Sequence, residues 1–174
     1  MSVDEYLNSS YHPDVEYVDG VLVERGVSTI AHSLLQLILI RYFEPYERAL
    51  RFLPLPDVRT QIIERARYRV PDVLLCATPL PTGKVVTSVP WAVIEILSPD
   101  DRLPRQLERF RDYKKIGVLH MILLDPEDLS AFRFDEGSLL QTQFTSLELP
   151  TGSVPFDTTA LFQQLVERRN EGQP

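Results

Sequence analysis

Residues 91–97 read Trp-Ala-Val-Ile-Glu-Ile-Leu, an almost unbroken apolar run that holds one carboxylate, Glu95. Bounded by Pro90 and by Ser98-Pro99, the run predicts a strand buried on both faces. A second apolar run, 118–124, ends at Asp125-Pro126 and predicts another buried strand. Between them Leu103, Leu107, Phe110, Tyr113 and Ile116 recur at helical spacing, and Gly117 is a natural stop. Strands are expected at 58–64 and 67–76, followed by a Pro-rich loop over 78–90.

Further out, Glu16-Tyr17-Val18 and Val21-Leu22-Val23 flank Asp19-Gly20, the signature of a two-residue hairpin. A helix follows, capped by Ser28 or Thr29. Its apolar residues, Ile30 to Ile40, are nearly all-round, with one polar stripe of Thr29, His32, Ser33 and Gln36. This predicts a mostly buried helix that turns one polar seam to a cleft or to solvent. Segments 131–134 and 139–144 surround Asp135-Glu136-Gly137 as another hairpin, and Asp157 caps a last helix from Thr158 to about Arg168. The expected fold is α/β: a central mixed sheet flanked by helices, with an N-terminal hairpin and a C-terminal hairpin plus helix.

At 174 residues the chain fits one domain that needs no disulfide or metal staple. Its 44% hydrophobic and 25% charged residues exclude a disordered, collagen-like or coiled-coil chain. Cys76 is the single cysteine, so no internal disulfide or Cys-cluster zinc site forms, and a cytoplasmic location is expected. The most apolar window, 34–40, is too short to span a membrane, and the acidic opening Met1-Ser2-Val3-Asp4-Glu5 is not a signal peptide. A net charge of −7 argues against indiscriminate nucleic-acid binding but leaves room for a local basic groove.

Asp72 and Glu95 are single carboxylates inside strongly apolar strands. Desolvating a lone carboxylate costs several kcal/mol. A hard divalent cation shared by the two acids, with the Ile96 carbonyl beside them, removes that cost and can polarise a phosphodiester. The alternative is structural, with Asp72 at a strand end and Glu95 paired with an Arg. The residues alone leave both open.

Arg69-Val70-Pro71-Asp72-Val73, then Glu95-Ile96-Leu97-Ser98-Pro99, then Tyr113 with Gly117-Val118, then Leu124-Asp125-Pro126 resemble the Uma-type restriction endonuclease family of the PD-(D/E)xK nuclease superfamily. Glu16-Tyr17-Val18-Asp19-Gly20 and His32 resemble its opening. The resemblance runs over about 16–162 and implies a restriction-endonuclease-like core in a single domain, 1–174. It implies Asp72 and Glu95 as acids binding Mg²⁺ or Mn²⁺, DNA as substrate, and His32 and Tyr113 as groups beside the acids. A homodimer is expected, since nucleases that cut duplexes often work as two-fold pairs.

The sequence departs from that pattern at the Lys. Leu97 stands two residues after the second acid, where the superfamily has Lys. Arg109 stands four before Tyr113, where the Uma-type family has it; Arg105 and Ile122 replace an acid and an aromatic. Arg stays protonated and cannot take a proton from water, but it can neutralise charge on a phosphoryl group. The expectation is therefore a Mg²⁺-dependent DNA endonuclease that is slowed or silenced. The rivals are a silent homologue acting as a binding or scaffold module, and a non-nuclease domain with both acids ion-paired. Arg109 itself reads as a surface arginine or as an arm reaching a cleft from the edge of the apolar stripe. Arg102, Arg105, Arg109, Arg111, Lys114 and Lys115 read mainly as a solvated face, with Asp100, Asp101, Glu108 and Asp112 interleaved. Arg65, Arg67 and Arg69 alternate on one strand face, to flank the cleft or to pair with Glu64 and other surface acids.

Overall fold

The computed structural model describes residues 1–171. The chain opens with α1 (Val3–Asn8) and the hairpin β1 (Glu16–Val18) and β2 (Val21–Val23). Next come α2 (Ile30–Phe43), α3 (Glu47–Leu50), β3 (Phe52–Pro56), β4 (Thr60–Ile63), β5 (Arg67–Arg69), β6 (Val73–Ala77) and β7 (Ala92–Ile96). The rest is α4 (Leu103–Ile116), β8 (His120–Asp125), β9 (Ser130–Asp135), β10 (Ser138–Gln141), β11 (Ser146–Leu149), β12 (Gly152–Pro155) and α5 (Thr158–Asn170).

The central sheet is mixed and six-stranded, in the order β10-β9-β8-β7-β6-β3. β7 and β8 are parallel, joined through α4, and the other pairings are antiparallel. Every residue of β7 is buried, as its apolar run predicts. Ala92, Ile94 and Ile96 pack into the core under α2 and α5. Val93 packs into the opposite core, with Phe110 and Tyr113 of α4. Successive side chains of a strand alternate faces, so Glu95 lies on the α4 side.

Local sequence accounts for the helix ends. Thr29 caps α2 by accepting from the His32 N–H at 3.1 Å, and Asp157 caps α5 by accepting from Thr159 and Ala160. α4 stops at Gly117, whose φ of 89° is the left-handed conformation glycine tolerates best. Within α2, Ile30 and Leu37 face solvent, so the helix is less enclosed than its composition predicts.

The expected strand over 67–76 is two strands. Pro71 has no N–H to give to a ladder, and the chain breaks over Val70-Pro71-Asp72. β5 joins a four-stranded antiparallel sheet, β2-β1-β5-β4, whereas β6 lies in the central one. The N-terminal hairpin is thus one side of a second sheet, and the break places Asp72 where the two sheets meet. β3 carries Pro54 and Pro56 yet pairs with β6 as an edge strand, the place where a sheet accepts proline. The β11–β12 hairpin, α1 and α3 were not expected from the sequence. Among the described residues no helix is long and apolar enough to cross a membrane.

Candidate active site

Asp72 directly precedes β6, and the pairing Val73↔Ile94 sets it opposite Glu95 of β7. The Ile96 N–H donates to Asp72 Oδ2 at 2.7 Å. The other oxygen, Oδ1, accepts from Arg25 and lies 3.3 Å from His32 Nε2. Gln36 donates to the Asp72 carbonyl at 2.8 Å. The polar stripe of α2 therefore does face a cleft, and His32 and Gln36 fix Asp72 from its side.

Glu95 is fully buried. Its Oε1 accepts from the Tyr113 hydroxyl at 2.6 Å, and Arg109 Nη2 lies 2.9 Å from Oε2. Arg109 and Tyr113 are four apart on α4 and so share a face. Arg109 is buried rather than on the surface: it also donates to the Val70 carbonyl at 2.9 Å, and its Nε lies 3.1 Å from Glu16 Oε1. The arrangement thus contains the ion pairing of the structural alternative, with Arg25 on Asp72 and Arg109 on Glu95.

Arg25 carries no sign in the sequence, and the sequence assigns Glu16 and Asp112 no place beside the acids, whereas Arg69 is expected to flank the cleft or pair with surface acids. Glu16 is fully buried in β1, between Arg109 and Arg69, with Arg69 Nη1 at 2.8 Å. Arg69 continues to Asp112 at 2.6 Å and to Glu108 at 2.9 Å. Arg67 joins Asp112 at 2.9 Å and also reaches Asp19. Arg67 and Arg69 thus bind two buried acids, Asp112 and Glu16, and two surface acids, Asp19 and Glu108, rather than Glu64. Arg65 lies in the turn after β4 and pairs with Asp4. Lys114 and Lys115 are exposed, and Lys84 reaches Asn8.

Burial opposes the charge on every one of these groups. For Asp72, His32 and Arg25 outweigh it and hold the carboxyl below the usual carboxylate range. For Glu95 burial wins: together with Asp72 and Glu16 it outweighs Arg109 and Tyr113 and pushes the carboxyl up to about 8. Burial of Arg109 is outweighed by Glu16 and Glu95, which hold its proton more tightly than usual.

The folded chain keeps the Glu95 proton up to about pH 8, whereas the unfolded chain releases it near its ordinary 4.5. The folded state binds more protons between those values, so this contribution to stability is complete at low pH and is lost as pH rises through about 8. Asp72 acts oppositely, losing its contribution as pH falls below the carboxylate range. Urea denaturation in EDTA is expected to show stability falling from pH 5 to pH 8 in the native chain, with a flatter slope in Glu95→Gln. Equal slopes would contradict this.

As donors, Asp72 and Glu95 suit a small hard cation. Glu95 Oε2 is buried and has no hydrogen bond, since Arg109 stands at ion-pair distance without the alignment for one. A cleft of about 20 Å³ lies against Asp72, Ile96, His32, Arg25 and Arg109, which is room for one water-sized occupant. Among the described residues no three His, Cys, Asp or Glu side chains group as metal ligands. Two carboxylates and a backbone oxygen would leave the remaining positions to water or phosphate, a division Mg²⁺ favours. Glu95 lies behind that cleft rather than on its wall, so the two acids fit such a cation only once Arg25 leaves Asp72 and Arg109 leaves Glu95 Oε2. A groove of about 650 Å³ between β9 and α5 is lined mainly by Thr, Gln and apolar side chains and lies apart from both acids.

Residues 3–161 match the model of the Uma2 family, described as "Putative restriction endonuclease". The chain belongs to the Uma2 family. Among solved structures, this Uma2 chain is similar to a protein of Anabaena variabilis ATCC 29413 described as "a putative nuclease belonging to DUF820". The TM-score is 0.78 at 20% identity, covering 95% of this chain and 99% of the other. That likeness bears on the fold alone, over the 95% of this chain that it covers. A looser likeness is to the DrdV–DNA complex, with a TM-score of 0.37 and 14% identity over 78% of this chain and 11% of that one, too low to carry an argument. No curated protein matches the Uma2 chain.

Proposed function

We propose that the chain is a Mg²⁺- or Mn²⁺-dependent DNA endonuclease that hydrolyses phosphodiester bonds slowly. The observation that supports this best is the pairing of Asp72 and Glu95 across β6 and β7, both buried, with Glu95 Oε2 free of hydrogen bonds. Asp72, Glu95 and the Ile96 carbonyl would hold the cation. Bound there, it would polarise the phosphoryl oxygen and lower the pKa of an attacking water. His32 and the Ile96 N–H fix the Asp72 carboxylate, and Tyr113 fixes Glu95. Arg109 brings a permanent positive charge to the phosphoryl group but cannot accept the proton of the attacking water.

DNA as the substrate rests on membership of the Uma2 family. We take residues 1–174 as one domain with its core at about 16–162. We assign the chain to the cytoplasm on its single cysteine, and a homodimer as the form that cuts both strands of a duplex.

The silent reading is favoured by one observation: a guanidinium already sits on each acid, Arg25 on Asp72 and Arg109 on Glu95. Metal-dependent melting separates the two. A ligand that binds only the folded state stabilises it by about 2.7 kcal/mol at 100 times its Kd, which for this size raises Tm by roughly 5–11 °C. The expected result is a rise with Mg²⁺ or Mn²⁺ that Asp72→Asn largely removes. Calorimetry showing no binding at millimolar cation would favour the ion-paired alternative.

A further inference from the structure

Arg25, Arg109 and His32 contact the two acids, Arg69 joins them through Glu16, and the four side chains are held differently. Arg109 is pinned on a helix by Glu16, Glu95 and the Val70 carbonyl. Arg69 is pinned in β5 by Glu16, Glu108 and Asp112. His32 is fixed in the first turn of α2. Arg25 alone among them comes from a segment in no helix or strand, residues 24–29 between β2 and α2.

Arg25 also differs in its partners. One end of its fork, Nη2, holds Asp72 Oδ1, and the other, Nη1, lies 2.7 Å from Asp57 Oδ1. Asp72 is buried whereas the Asp57 side chain is 43% exposed, so the guanidinium spans from the cleft to solvent. Gln36 donates to Asp57 Oδ2 at 2.8 Å and holds that outer carboxylate in place. An arginine leaving Asp72 thus keeps a fixed ionic partner at the rim. Asp72 lines the cleft, and Oδ1 is the oxygen that Arg25 holds, Oδ2 accepting instead from the Ile96 N–H.

A guanidinium and a divalent cation cannot both take Oδ1, since each is drawn by the same charge and the two repel at contact. We infer that Arg25 is a built-in competitor for the divalent cation, holding the Asp72 oxygen until the cation displaces it onto Asp57. The inference rests on the proposed metal site. It makes cation affinity, rather than the chemical step, the quantity Arg25 controls.

Mn²⁺ titration of the full chain, read by the electron-paramagnetic signal of free Mn²⁺, tests it with native protein, Arg25→Met, Arg25→Lys and Asp72→Asn. Arg25→Met is expected to bind Mn²⁺ at least about tenfold more tightly than the native chain, because a positive charge in contact with the ligand is gone. Lys is a point charge without the fork that spans two carboxylates, so Arg25→Lys is expected to fall between. It also carries the test if circular dichroism shows that Arg25→Met does not fold. Asp72→Asn is expected to bind none. If the Arg25 variants bind Mn²⁺ no more tightly than native while Asp72→Asn abolishes binding, the competitor is wrong and the metal site stands. If neither the native chain nor either Arg25 variant binds, both fall together.

Discussion

Arg109→Lys is expected to nick supercoiled plasmid about 10²–10⁴-fold faster than the native chain with Mg²⁺ or Mn²⁺ present, the range of one proton-transfer contribution. The native side chain lies between Glu16 and Glu95, which tighten its hold on a proton that arginine does not release at any ordinary pH. A lysine there is a cation of similar reach whose ordinary pKa, about 10.4, lies well below that of arginine, so it can exchange its proton where arginine cannot. It gives up the fork that spans two acids and the Val70 carbonyl, so a stability loss of about 1–3 kcal/mol is expected beside the gain in rate. If the native chain cuts as fast as the Lys variant, the proton-accepting group was never needed at this position. If neither cuts DNA or RNA with Mn²⁺ present, the silent reading holds.

Arg69→Met is expected to cost roughly 3–5 kcal/mol, the usual loss when one partner of a buried ionic network is removed. The guanidinium is 2% exposed and touches Glu16 of β1, Glu108 and Asp112 of α4. It therefore ties the four-stranded sheet to the helix that carries Arg109 and Tyr113. Methionine fills part of the volume but leaves Glu16 and Asp112 with one arginine each, Arg109 and Arg67. Urea denaturation followed by Trp91 fluorescence measures the loss, which corresponds to a Tm lower by roughly 6–20 °C. A change under about 1 kcal/mol would mean that water solvates these acids and the network is not a structural tie.

The layers were legible in the sequence because they are written in short-range pattern. The continuous run at 91–97, the helical spacing from Leu103 to Ile116 and the Asp19-Gly20 turn each specify one element without reference to anything distant. Strand membership was not legible. Residues 67–70 alternate and 73–76 are apolar, so the stretch reads as one strand; Pro71 marks where it breaks, but packing decides that β5 and β6 join different sheets. α1 was overlooked although Ser2 and Glu5 form a capping box, with the Ser2 N–H donating to Glu5 at 2.7 Å.

The site divides in the same way. Asp72 and Glu95 stand out as lone acids in apolar strands, whereas Tyr113 and Arg109 are singled out only by the resemblance to the Uma-type pattern. Glu16 obeys the rule that exposed Glu95, but its strand is three residues long and reads as a hairpin arm. Arg25 gave no local sign, and Arg69 none of its buried partners, since Asp72, Asp112 and Glu16 lie 47, 43 and 53 positions away.

The proposed chemistry depends on Asp72 and Glu95 sharing one divalent cation, which crystals soaked in Mn²⁺ would reveal. The expected result is an anomalous Mn²⁺ peak bonded to Asp72 Oδ1 and Glu95 Oε2, with Arg25 moved off Asp72 and Arg109 off Glu95. Well-ordered density with no peak at millimolar Mn²⁺, and with Arg25 and Arg109 still on the two acids, would contradict it.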